Sequence, residues 1–113
     1  MQARTVRRIA LELPEAEERE TWGTPTFRVR NKIFAMFAEE GREIWIKSMH
    51  DEQRALVAMD STTFFVPPYV GPSGWVGVRF RTVDHRELRE LLTEAWRLTA
   101  PKRLVKAFDG GEA

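Results

Sequence analysis

Two short pairs in the sequence have the residue types of acid–base chemistry. His50 stands beside Asp51 and His85 beside Asp84, and a carboxylate next to an imidazole is the raw material of a general base. Consecutive side chains diverge, however, and both pairs fall at predicted helix starts, where aspartate is favoured as a cap or first-turn residue. Capping is therefore the reading of both. Two histidines without a third clustered ligand make no zinc site, and the acidic residues lack the spacing of a calcium loop. No P-loop, G-x-G-x-x-G or G-x-S-x-G occurs. Gly71-Pro72-Ser73-Gly74 is glycine-rich, but its proline lacks the backbone donor that a phosphate cradle uses, so it reads as a shaped loop. With no cysteine there is no thiol nucleophile, disulfide or thiolate metal site. These residues predict a protein without catalytic machinery, cofactor or metal.

A second constellation lies on alternate positions of the predicted strands. Arg28, Arg30, Trp45, Lys47, Trp75, Arg79 and Arg81 fall on the parity opposite to Phe27, Val29, Ile44, Ile46, Val76, Val78 and Phe80. Cations fix phosphates or carboxylates, and each tryptophan offers a stacking face worth roughly 1–3 kcal/mol per nucleobase. Arg28, Arg30 and Lys32 also cluster at a predicted hairpin tip, as in a groove-reaching wing. Three readings stay open at this point. The surface takes DNA or another anionic ligand, it meets a protein partner or a second copy, or the arginines simply cover Trp45 and Trp75 by cation–π contact.

The elements that must hold these residues follow from periodicity. Val6, Ile9, Ala10 and Leu13 predict a first amphipathic helix over residues 2–12, ended by Pro14, with Arg4, Arg7 and Arg8 on a solvated face. Residues 16–22 predict a charged edge strand, and Gly23-Thr24-Pro25 a turn. Phe27–Arg30 alternates cleanly, and Asn31 closes a hairpin in a left-handed conformation. A two-residue loop would set Val29 beside Phe34 and a three-residue loop beside Ile33, with opposite faces. Ile33–Ala38 is apolar on both parities, which predicts a central strand covered on both sides. Residues 39–42 form a second turn, and Glu43–Lys47 a further strand.

Ser48 and Asp51 predict a capped helix from Met49 to Met59 that buries Leu56 and Met59. Thr62–Val66 and Trp75–Arg81 predict two more strands, separated by the loop that starts at Pro67. Asp84 with Glu87 forms a capping box, and Val83 with Leu88 a hydrophobic staple, for a helix over residues 85–98. That helix buries Leu88, Leu91, Leu92, Ala95 and Thr99. Pro101 opens a last helix, Lys102–Phe108. The expectation is one domain over residues 1–108 with a flexible tail at 109–113, an α+β fold with an antiparallel sheet backed by helices largely on one face.

Composition agrees with a globular domain: 113 residues, 42% hydrophobic and 31% charged. Eighteen basic residues against 17 acidic ones leave a net charge of +1, so a nucleic-acid role would rest on local rather than global charge. The broken apolar pattern of the first fifteen residues is not that of a signal peptide, and no run approaches the roughly 18 apolar residues of a membrane span. A cytoplasmic protein, monomer or homodimer, is the expectation.

The pieces LPEAEERETWGTPTFRVRNKIFAMF, IWIKS, PPYVGPSGWVGVRF and EAWRLTAPKRL, in that order over residues 11–104, resemble the MmcQ/YjbR-like proteins. The marks are Leu13-Pro14-Glu15-Ala16, Trp22-Gly23, Phe27, Lys32, Phe34, Lys47, Trp75, Ala95-Trp96 and Lys102. The resemblance implies a helix-backed antiparallel sheet similar to CyaY-like or secretion-chaperone-like architectures. It also implies a small non-enzymatic protein of the "DNA-binding, double-wing" type. Arg28, Arg30, Lys32, Trp45, Lys47, Trp75 and Arg79 are the candidate contacts, with a protein-binding module resembling a secretion chaperone as the alternative. The loop before Trp75 lacks the His and Lys frequent in the family, and Ala95-Trp96 replaces a frequent Ser-Tyr.

Overall fold

The computed structural model describes residues 1–110. Four helices, α1 (Ala3–Leu11), α2 (His50–Met59), α3 (His85–Thr99) and α4 (Lys102–Asp109), accompany six strands. The strands are β1 (Ala16–Thr21), β2 (Thr24–Val29), β3 (Lys32–Ala38), β4 (Glu43–Ile46), β5 (Phe64–Phe65) and β6 (Val76–Arg79). They form one antiparallel sheet in the order β1-β2-β3-β4-β6-β5. The fold is α+β, with the helices gathered on one face, as the patterning predicts.

One face of the sheet supplies Phe27, Ala35, Phe37, Ile44, Ile46, Val76 and Val78 to the core, against Val6, Ile9 and Ala10 of α1 and Leu88, Leu92 and Ala95 of α3. Phe27, Phe37 and Phe80 meet edge to face, with ring centroids 5.2 and 5.7 Å apart. Trp96, on the helix face that touches the sheet, is fully buried and donates its indole N–H to the Pro14 carbonyl at 2.9 Å. Asp84 caps α3 by accepting the Glu87 backbone N–H, and Val83 and Leu88 are both buried, as the capping box and staple require.

Several expectations are corrected. The first hairpin turns at Trp22-Gly23, both with positive φ, and not at Gly23-Thr24-Pro25. A two-residue turn of this hand matches the twist of the strands, and Thr24 and Pro25 pair with Thr21 and Glu20. Pro25 is tolerated there because the pairing of β2 with β3 begins only at Thr26. The second hairpin turns at Arg30-Asn31, with Asn31 left-handed as expected, but Val29 stands opposite Lys32, in neither register foreseen.

A β-bulge explains the double apolar parity of β3. Phe27 faces Ala35 and Arg28 faces Ile33, so Phe34 is an extra residue in the ladder, and Phe34 and Ala35 both enter the core. Met36 and Ala38 remain only half-buried, so β3 is not covered on both sides. At α2 the cap residue is Met49 and Ser48 makes no capping bond; Met59 is exposed. The strands at 62–66 and 75–81 shorten to β5 and β6. Arg7 of the supposed solvated face pairs with Glu18 and lies over Phe37. Asp109 closes α4 and pairs with Arg97; of the tail expected at 109–113, residues 111–113 lie outside the described residues.

Candidate functional site

The face of the sheet opposite the helices is built from the second parity of each strand. Its central row runs Thr26–Met36–Trp45–Gly77–Phe65 from β2 to β5, each residue the register partner of the next. Met36, Trp45 and Phe65 are half-buried, and the core residues of α1 and α3 pack on the other face of the sheet. Gly77 is required by close approach: a β-carbon there would overlap the outer end of the Phe65 ring. Arg79 in turn spreads over that ring, its guanidinium carbon 4.4 Å from the centroid. The cation–π cover foreseen for Trp45 and Trp75 therefore falls on Phe65.

At the other end of the row Arg28 lies along β2. Its guanidinium donates to the Thr21 hydroxyl at 2.8 Å, the Thr26 hydroxyl at 3.3 Å and the Asn31 carbonyl at 3.2 Å. Arg79 donates to the Ser61 and Thr62 carbonyls. All these acceptors are neutral, and among the described residues neither arginine has a carboxylate within ion-pair distance. Neither charge is neutralised by a direct ion pair, although Glu17 and Glu43 stand opposite Arg28 and Arg79 across the strands. Trp45 adds one further feature, an indole N–H that is buried and has no acceptor.

The remaining predicted residues divide. Arg30, at the hairpin tip, forms a two-toothed ion pair with Glu15, fifteen residues away. That hydrogen bond holds the Glu15 carboxyl below the ordinary carboxylate range and raises the Arg30 guanidinium further. Arg30 is thus neutralised, whereas Lys32 beside it is exposed and has no ion pair among the described residues. Trp75 precedes β6 and is half-buried. Lys47 lies beyond the end of β4 and lines a cleft on the helix side, with Met49, Glu52, Leu91, Glu94 and Leu98. The face thus joins Arg28, Trp45 and Arg79, while Arg30 and Lys47 serve elsewhere. Exposed Arg81 follows the strand's end.

Of the two His-Asp pairs, Asp84 is the α3 cap as expected, whereas Asp51 lies in the first turn of α2 and pairs with Arg54 without capping it; the His50 ring is 2.7 Å from the Pro72 carbonyl. Gln53, one turn further along α2, donates to the Gly71 carbonyl at 2.9 Å and the Trp75 carbonyl at 2.6 Å. Together they clamp the loop before β6, and Gly74 completes the turn at φ +99°, packed against the backbone of residues 48–50. Gln53 escaped sequence reasoning; the signal was a Gly/Pro loop whose carbonyls need donors. Among the described residues no three His, Cys, Asp or Glu side chains group as a metal site. No helix among them is long and apolar enough to cross a membrane.

Relatives are known by sequence and by structure. Uncharacterized proteins of Mycobacterium tuberculosis (Rv2570) and Mycobacterium bovis (Mb2600) are each 43% identical over 54 residues, a stretch covering 48% of this chain and 42% of theirs. The crystal structure of Deinococcus radiodurans protein DR2400, described as a DUF419 domain, superposes with a TM-score of 0.77 at 21% identity. That match covers 87% of this chain and 78% of that one, and speaks for the fold alone. The family model described as YjbR matches residues 11–98, most of the helix-backed sheet and the whole open face. The chain belongs to the YjbR family.

Proposed function

We propose that this protein is a small non-enzymatic binding protein that engages DNA through the open face of its sheet. One observation carries the reading: Arg28 and Arg79, neither in a direct ion pair among the described residues, stand on either side of the half-buried row Met36–Trp45–Gly77–Phe65. Phosphates find cations there, and splayed bases find Trp45 and the stacked Arg79–Phe65 pair as sequence-tolerant platforms. A single strand suits this surface better than a duplex, because a broad sheet offers stacking area and no helix or ribbon to enter a groove. The neutralised Arg30 weighs against the hairpin tip as a wing; Lys32 and Trp75 flank the face as secondary contacts.

The test is fluorescence anisotropy with a labelled oligothymidylate across a salt series. Binding should weaken steeply between about 50 and 200 mM salt, and Arg28→Glu or Arg79→Glu should weaken it further and flatten the salt slope. Arg30→Gln should change it little. Absent or salt-independent binding at low ionic strength sinks the reading. Capture of a protein segment that tolerates both arginine reversals would instead establish the chaperone-like alternative on the same face.

A further inference from the structure

On the helix side of the molecule, α2 and α3 diverge to leave a cleft in place of a packed seam. Its floor is Leu56 and Leu91, both at most 8% exposed. Its rims carry apolar side chains that the fold leaves in water: Met49 and Met59 at the two ends of α2, 61% and 63% exposed, and Leu98 at the end of α3, 45% exposed. The cleft runs along all ten residues of α2, ~15 Å of helix. Met59, predicted to be buried by its helical spacing, is instead aligned with Glu52 and Leu56 along this opening.

The charge on the rims is mostly negative. Glu52 on α2 and Glu87, Glu90 and Glu94 on α3 all line the cleft. Glu94 is paired with Arg97, but Glu52, Glu87 and Glu90 have no cation within ion-pair distance among the described residues. Glu87, Glu90 and Glu94 stand three and four residues apart on α3, where like charges repel along a helix. Burial, and next the charges of Asp84, Asp60 and Glu90, raise the Glu87 carboxyl above its ordinary value. The cleft therefore lies in a negative field. Lys47 at its far end is the one basic side chain that lines it.

We infer that the α2–α3 cleft is a docking groove for a basic amphipathic helix of a protein partner, its apolar stripe on Leu56, Leu91 and the two methionines and its lysines or arginines against Glu52, Glu87 and Glu90. An apolar floor with flexible thioethers at both ends adapts to helical anchors at i, i+3/i+4 and i+7. The acidic rims supply charge complementarity that selects a cationic helix and sets its orientation. This site is on the opposite side of the sheet from the open face and owes nothing to Arg28 or Arg79.

The experiment uses the full chain and a fluorescein-labelled peptide of about 14 residues built from Leu and Lys, a helix of ~21 Å with one apolar stripe. A second peptide of the same composition spreads its leucines around the helix. Binding is read by anisotropy, and its location by the methyl NMR signals of 13C-labelled Met49 and Met59. The inference expects saturable binding of the striped peptide only, with shifts at both methionines. Glu52→Lys with Glu90→Lys should weaken it about tenfold or more, while Glu17→Lys, across the molecule on β1, should leave it unchanged. Equal binding of the two peptides, indifference to the Glu52/Glu90 reversal, or methionine signals that do not move would each overturn it. So would a dimer in light scattering that the same reversal dissolves, since the groove's occupant would then be a second copy.

Discussion

On the helix-covered face of the sheet, Phe27, Phe37, Ile44, Ile46, Val76 and Val78 are at most 4% exposed. On the opposite face of the same strands, Met36, Trp45 and Phe65 are half-buried, and the long side chain of Arg79 lies over the Phe65 ring. Each face closes off its aromatic surface by a different device. The first does so by close packing, which is unforgiving of changes in volume. The second uses long polar side chains held by neutral hydroxyls and carbonyls, of which Arg79 lies over the Phe65 ring. A net charge of +1 conceals local clusters, among them the four glutamates that line the α2–α3 cleft. Near-neutral overall composition is therefore no guide to the local field.

The two tryptophans give the sharpest way to break this contrast. Trp96→Ala should destabilise the protein by about 3–5 kcal/mol, since it empties the core under α3 and strips the Pro14 carbonyl of its donor. Urea denaturation reads this directly. Gly77→Ala comes next: a β-carbon pressed into the Phe65 ring should cost about 1–3 kcal/mol, and most of that should return in a Gly77→Ala/Phe65→Ala double variant. Additive losses in that cycle would mean that Phe65 does not lie over Gly77. Trp45→Phe should change stability by less than about 1 kcal/mol, because the lost area is offset by removal of a buried N–H that has no acceptor. A loss matching that of Trp96→Ala would show that the open face belongs to the core after all.

The smallest effects should appear in pH profiles, and with opposite signs. The carboxyl of Glu15 is depressed by its hydrogen bond to Arg30, so it binds its proton less readily in the folded state than unfolded. Its contribution is present above the ordinary carboxylate range and is lost as the pH falls through the lowered value. Glu15→Gln should accordingly be less stable than the parent at neutral pH and indistinguishable from it in acid. Glu87 is raised, chiefly by burial and then by Asp84, so its ionisation opposes folding. Glu87→Gln should be slightly more stable at neutral pH, with the advantage fading as the pH falls through the raised value and gone below the ordinary carboxylate range. Thermal midpoints from pH 3 to 7 separate the two, and shifts of the same sign would contradict the assignment of opposite fields.

Local signals were legible wherever neighbours in sequence decide the outcome. The Asp84 cap, the Val83–Leu88 staple, the left-handed Asn31 and the charged edge strand all depend on residues a few positions apart. The alternation of Glu43–Ile46 and Val76–Arg79 places their core residues correctly for the same reason. Misreadings arose where a distant element intervenes. The double apolar parity of β3 has two physical causes with one sequence pattern, a strand covered on both faces or a bulge, and periodicity cannot separate them. Of the candidate contacts, Arg28, Trp45 and Arg79 share the predicted face. Arg30 was withdrawn by Glu15, and Lys47 falls past the end of β4, where strand parity no longer applies.

The sequence by itself determined the α+β class, the helix-backed antiparallel sheet and the family, because alternation, capping and short spaced motifs are properties of contiguous residues. Only the tertiary structure decided which cations stay free. Whether Glu15 reaches Arg30, or Thr21 and Asn31 converge on Arg28, depends on how chain segments fold back on each other. The α2–α3 cleft has the same origin. Met49, Met59 and the glutamates are ordinary helix-surface residues until two helices separated by residues 60–84 come to line one cleft.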